Sequence, residues 1–247
     1  MSKDFIVEAC IDSVESAMAV EEVGCRRVEL CSALFEGGLT PTPGTVRRIQ
    51  QTSGVDIMAM IRPRGGDFCY SREEFAVMKE DLKIMKELGV LGVVFGILRE
   101  DGTIDKERTG ELIALARPLK VTFHRAFDVT PEPFAALETL IELGVDRILT
   151  SGQDKSVLEG IDLIAELHRK AGGRIIIMPG GGITERNFRR IHETLGFGEY
   201  HIGLGSWKES AMKFRRSYVP MGGALYPPEY AVRGYNAQAL STIISHT

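Results

Sequence analysis

A unit made of a charged helical stretch, a glycine and a short β-branched run recurs along this chain. No other feature narrows its choice of fold so far. EEVGCRRVEL turns at Gly24, KELGVLGVVF at Gly89, IELGVDRILT at Gly144 and ETLGFGEYHI at Gly196. Glycine just past a helix end enters the left-handed region without a Cβ penalty and lets the chain turn into a strand. Gly54, Pro118 and Gly172 add three junctions, and successive junctions are 30, 35, 29, 26, 28 and 24 residues apart. Steps of that size match one βα unit. Counted from the front, strands are expected at 5–11, 27–31, 56–63, 92–98, 120–127, 147–152, 174–179 and 200–205. Eight strands, each followed by helical sequence, predict an α/β chain folded as a TIM-type (β/α)8 barrel with parallel strands and outer helices. A doubly wound open sheet competes, but no GxGxxG opens a helix after the first strand. With no linker or low-complexity tract, residues 1–247 read as a single domain, and 215–228 (RRSYVPMGGALYPP) as an irregular segment before the last helix.

Composition excludes several function classes. A 44% hydrophobic share suffices for a sizeable core, and the net charge of −4 with scattered Lys and Arg leaves no nucleic-acid footprint. No apolar run approaches the roughly 20 residues that cross a bilayer, so no membrane association is expected. MSKDFIVEAC enters a strand almost at once, which leaves no room for a signal peptide and predicts a cytoplasmic location. Cys10, Cys25, Cys31 and Cys69 form no CxxC pair and read as free thiols of a reducing compartment.

Helix boundaries are legible at two places. Ser71 with Glu74 forms a capping box ahead of an apolar face at Phe75, Met78, Leu82, Met85 and Leu88. Thr42-Pro43 reads as an N-cap followed by proline at N1.

In a barrel, the carboxyl ends of the strands gather on one face, and ligands and chemistry gather there too. VTFHRAFD, at 121–128, opens as an alternating strand and ends on His124, Arg125 and Asp128. Strands one and two present Glu8 with Cys10 and Glu29 with Cys31, each pair two apart on one strand face. Strand three ends in Arg62, and pairing with Glu8 and Glu29 would offset the cost of burying those charges. Glu8, Glu29, Arg62, His124 and Asp128 are therefore the candidate catalytic residues, with His124 as acid or base. The alternative is a structural ion-pair layer inside the barrel. A site for a phosphate or carboxylate anion is expected from Arg125, Thr150 and Ser151, the Gly180–Gly182 turn after strand seven, and Gly205 and Ser206 after strand eight. His168 and His192 read as surface helix residues, whereas His201 in strand eight has a claim on the interior. Cys10 and Cys31 occupy matching places on neighbouring strands; two thiolates suffice for Cu(I), but the residues by themselves favour two buried spectator thiols.

Taken together, EACIDS at 8–13, RRVELC ending at Cys31, EGGLTPTPG at 36–44, IRPRGGDFCYS at 61–71, VTFHRAFD, RILTSG at 147–152 and MPGGGIT at 178–184 closely resemble the CutC copper-homeostasis family. The resemblance implies a TIM-type barrel, an intracellular homo-oligomer (dimer or tetramer) and a role in copper handling. Carried over by position, it puts the Cu(I) ligands on Cys10 and Cys31 and implies no organic cofactor. HIGLGS, at 201–206, departs from the serines expected after the strand-eight histidine, which removes a serine-dependent anion contact there. Two functions follow. One is Cu(I) binding through the two thiols. The other is a barrel enzyme, of lyase or isomerase type, acting on a small anionic or phosphorylated metabolite through the Glu/Arg/His cluster.

Overall fold

Strand and helix alternate through the chain in the computed structural model, which describes residues 5–216, 218–219 and 230–245. The barrel strands are β1 (Ile6–Ile11), β2 (Arg27–Leu30), β3 (Asp56–Met60), β4 (Gly92–Phe95), β5 (Lys120–Phe123), β6 (Arg147–Thr150), β7 (Ile176–Pro179) and β8 (Glu199–Ile202). Each is followed by a helix: α1 (Val14–Glu22), α2 (Pro43–Thr52), α3 (Arg72–Glu87), α4 (Lys106–Ala116), α5 (Pro133–Glu142), α6 (Ile161–Ala171), α7 (Phe188–Leu195) and α8 (Ala237–Ile244). The strands are all parallel in the order β7-β6-β5-β4-β3-β2-β1-β8. An isolated parallel bridge between Gly180 and His201 joins the two outer strands, so the sheet closes into the TIM-type (β/α)8 barrel.

Local chemistry accounts for the joints. Gly24, Gly89, Gly144, Gly172 and Gly196 all adopt positive φ. Gly54 does not, and its N–H instead donates to Glu21 Oε1 at 2.9 Å. Ser71 accepts from the Glu74 N–H while the Glu74 carboxylate accepts from the Ser71 N–H, which completes the capping box of α3. Thr42 caps α2 ahead of Pro43. Residues alternate along each strand: Val7, Ala9, Val28, Leu30, Ile57 and Ala59 pack into the main apolar core.

Several expectations need adjusting. Strands three, four and five stop three or four residues early because the backbone leaves the ladder at once. After β5, His124 caps a 3-10 turn, Arg125–Val129. Beyond β8 an antiparallel hairpin was not anticipated: β9 (Gly205–Glu209) pairs with β10 (Ala231–Tyr235), with Ser206 opposite Gly234. Tyr235 pins it to the barrel by donating to the Ile202 carbonyl at 2.9 Å. Most of the 215–228 segment lies outside the described residues. His168 is exposed as expected, but His192 is half-buried, with Nδ1 2.9 Å from the Tyr200 hydroxyl. Among the described residues, no helix is long and apolar enough to cross a membrane.

Candidate functional site

Strand register decides which side chains meet. Cys10 pairs across to Glu29, and Glu8 pairs to Arg27, one step deeper than matching sequence positions suggest. The strands of a tilted barrel are staggered, so equivalent positions do not sit side by side. Glu8 therefore pairs with Arg27 rather than with Arg62. It is fully buried, and its Oε2 lies 2.8 Å from Arg27 Nε as an ion pair without hydrogen-bond alignment. Arg27 also pairs with Glu199, which in turn accepts from Arg147 Nε at 2.9 Å. These two arginines and two glutamates form the ion-pair layer of the barrel interior. Burial raises the Glu8 carboxyl against the pull of Arg27, whereas the arginine hydrogen bonds hold Glu199 low despite its burial.

Above that layer, Cys10, Glu29, Met60, Arg62, Phe68, His124, Arg125, Leu149 and His201 line a cavity of about 260 Å³, with Gly37 at its edge. The sequence had placed Cys10, Glu29, Arg62, His124 and Arg125 at the mouth. His201, Met60, Phe68 and Leu149 were missed as site residues, although strand alternation in EYHI already turned His201 inward.

His201 Nε2 lies 2.8 Å from Glu29 Oε2. Burial opposes the charge on His201, yet Glu29 and Cys10 together push its pKa well above the ordinary 6.5. Glu29 is likewise disfavoured by burial but held below its ordinary value by His201. The pair is ionic at neutral pH. Cys31 donates to Glu29 Oε2 at 3.8 Å. One sulfur each from Cys10 and Cys31 and a Glu29 oxygen all lie within 4.8 Å of one another. Hydrogen bonding with Cys31 draws the Cys10 thiol down against burial, and the same contact, with burial, raises Cys31. Cys31 packs with Met58, Met60 and Val94, so thioethers surround the thiols. A side chain at Gly38, where φ is +93°, would meet the Cys31 sulfur at 2.8 Å, which explains a glycine in EGGLTPTPG. Glu8, Glu29 and His201 also bring ligand atoms within 4.8 Å, but that set holds no soft donor.

Arg62 does not pair with Glu8 or Glu29. Its Nη1 donates to the carbonyls of Glu36 and Gly38 at 2.9 and 3.0 Å, and Nη2 to Gly66 at 2.9 Å. With Thr40 N–H donating to the Arg62 carbonyl at 3.0 Å, these bonds lock the EGGLTPTPG and IRPRGGD loops together. His124 Nδ1 accepts from the Ala126 N–H at 3.1 Å, and burial lowers the ring's pKa to about 4. With Nδ1 engaged, the neutral ring carries its proton on Nε2, which suits it to donate rather than to act as a base.

Asp128 is not on the cavity wall. It accepts from the Thr150 hydroxyl, from the Ser151 N–H and hydroxyl at 3.0 and 2.9 Å, and from Gln153 N–H at 3.2 Å. Arg125 Nε reaches the same carboxylate at 2.7 Å and its Nη2 donates to the Ser151 hydroxyl at 2.7 Å. Thr150 and Ser151 are thus consumed in organising the loop after β6. Gly181 packs beside Arg125 and Ser151, and the Gly180 N–H donates to the Thr150 carbonyl at 2.9 Å, whereas Gly205 and Ser206 sit in the hairpin, so the expected anion set assembles only in part.

The CutC family model matches residues 5–206. The copper homeostasis protein cutC homologue of Mus musculus is 51% identical over 239 residues, covering 97% of this chain and 88% of that protein. The homologue of Dictyostelium discoideum is 41% identical, covering 92% of each. Among solved structures, that of the copper homeostasis protein CutC from Streptococcus agalactiae is 34% identical with a TM-score of 0.76, covering 81% of this chain and 98% of that one. A Thermotoga maritima phosphoribosylanthranilate isomerase, 13% identical with a TM-score of 0.58 over 98% of this chain and 97% of that one, shares the fold alone.

Proposed function

The chain belongs to the CutC family, and from that premise we propose that it binds Cu(I) between the sulfurs of Cys10 and Cys31, as a cytoplasmic copper-handling protein. The observation that carries this reading is the convergence of the two thiols with Glu29, of which Cys10 and Glu29 line the mouth cavity. Two thiolates are the donor set that Cu(I) favours over harder cations, and two are enough for it. Cys10 is only partly buried and lines the cavity, so an ion can reach it from the mouth, while Cys31 is buried under Gly38. A thiol drawn down beside one pushed up gives a ready first thiolate, and the second proton leaves as the metal binds. Cys25 does not join them: its thiol donates to the Arg27 carbonyl at 3.2 Å, and burial raises it. The names of the homologues point to copper homeostasis, and the homo-oligomer is part of the same proposal. His124 gives the enzyme reading a hydrogen-bond donor but no base, because its Nδ1 is engaged and its ring is neutral.

The test is an anaerobic Cu(I) titration against a chromophoric chelator. The wild-type protein and a Cys25→Ser, Cys69→Ser variant are expected to bind one equivalent, and Cys10→Ser with Cys31→Ser to lose it. Stoichiometric binding that survives the latter pair would refute the site.

A further inference from the structure

The mouth cavity contains a buried charge that no carboxylate among the described residues balances. Arg27 and Arg147, the arginines of the inner layer, each pair with a carboxylate. Arg62 is as deeply buried, at 5% exposure, yet among the described residues its guanidinium meets three carbonyl oxygens and a phenol hydroxyl but no carboxylate. Its Nε–H is buried without an aligned hydrogen-bond acceptor. The Tyr70 hydroxyl lies beside it, but burial raises that phenol and keeps it neutral, so it supplies no counter-charge. The other cavity cations are matched, His201 by Glu29 and Arg125 by Asp128. An unmatched buried cation is costly unless an anion joins it.

A second orphan group faces the same space. His124, 4% exposed, accepts from Ala126 on Nδ1, so its proton sits on Nε2, which is buried without a partner. Phe68 connects the two donors. The Arg62 guanidinium carbon stands 5.2 Å from its ring centre, and the His124 ring 4.8 Å from it. Gly96 makes room for this arrangement, since a side chain there would meet the His124 ring at 2.6 Å.

We propose that this cavity is a binding site for a small carboxylate, held by Arg62 and by the Nε2–H of His124 beside Phe68. The volume of about 260 Å³ and the apolar wall of Met60, Phe68 and Leu149 fit a short organic acid. A phosphate would need more N–H donors, and the Gly180–Gly182 turn that could supply them is not part of the wall. Neither Arg62 nor His124 is a proposed copper ligand, so the site stands whether or not the thiols bind copper.

The test uses the metal-free Cys10→Ser, Cys31→Ser protein, labelled with 15N-histidine, and acetate, pyruvate, malonate, L-malate and inorganic phosphate as probes. Its independence from the thiols keeps a failure here distinct from a failure of the Cu(I) reading. A carboxylate is expected to bind saturably below about 10 mM, and to shift the His124 Nε2–H resonance. Affinity is expected to fall about tenfold or more in Arg62→Met and in His124→Phe. Should Arg62→Met fail to fold because its loops come apart, His124→Phe and the resonance decide. The proposal is overturned if no carboxylate moves that resonance, if phosphate alone binds, or if affinity in His124→Phe stays within about twofold of the parent.

Discussion

His201 and Glu29 show how one buried contact sets the charge state of the site. Each is disfavoured as an ion by burial, and each is kept ionised by the other across 2.8 Å. A histidine raised above its ordinary 6.5 contributes stability that is complete below that value and is lost as pH rises through its folded pKa. A carboxylate held below its ordinary 4.5 contributes stability above that value, lost as pH falls through its folded pKa. The pair therefore acts in full between those two ordinary values. His201→Gln is expected to cost about 3 kcal/mol near pH 6, with the gap to wild type shrinking as pH is raised beyond neutrality. Urea midpoints of both proteins across pH 5–10 measure this, and a gap that widens on the alkaline side contradicts it. At this scale strand alternation made the inward direction of Cys10, Glu29 and His201 legible. Which of them touch was not, because contact depends on stagger between strands.

Among the elements, α3 is the one whose limits the residues spell out. The Ser71 and Glu74 side chains satisfy two backbone donors at its start, and Phe75, Met78, Leu82 and Met85 bury its inner face. Ser71→Ala is expected to destabilise the protein by about 1 kcal/mol, read as a lower urea midpoint with Cu(I) stoichiometry unchanged. An effect below about 0.3 kcal/mol would show that packing alone holds the helix start. The loops were harder to anticipate. Arg62 and Asp128 looked like site carboxylate-and-arginine chemistry, but most of their bonding serves backbone groups of neighbouring loops. A sequence shows that a charged residue is at a strand end, not how many unpaired N–H and C=O groups surround it. The hairpin after β8 escaped for a related reason. Leu204 to Ser206 reads as the end of a strand until Arg233 and Gly234 arrive opposite it.

The whole molecule divides its polar interior between two ends. Glu8, Arg27, Arg147 and Glu199 hold the deep layer, and the cavity with its thiols opens at the other, where barrel sites form. Removing one carboxylate from the deep layer leaves a buried arginine unmatched. Glu199→Gln is expected to cost about 3 kcal/mol in urea denaturation while leaving Cu(I) affinity unchanged, because the layer does not touch the thiols. A loss of Cu(I) affinity alongside stability would mean that the two ends are coupled. Taken alone, the sequence determined the eightfold βα repeat, the parallel barrel and the face on which Cys10, Cys31 and His124 gather, because periodicity and junction glycines are local signals. Only the tertiary structure decided that Glu8 pairs with Arg27, that His201 pairs with Glu29, and that Arg62 meets no carboxylate among the described residues. Those outcomes follow from the stagger that closing the barrel imposes, and stagger is a property of all eight strands together.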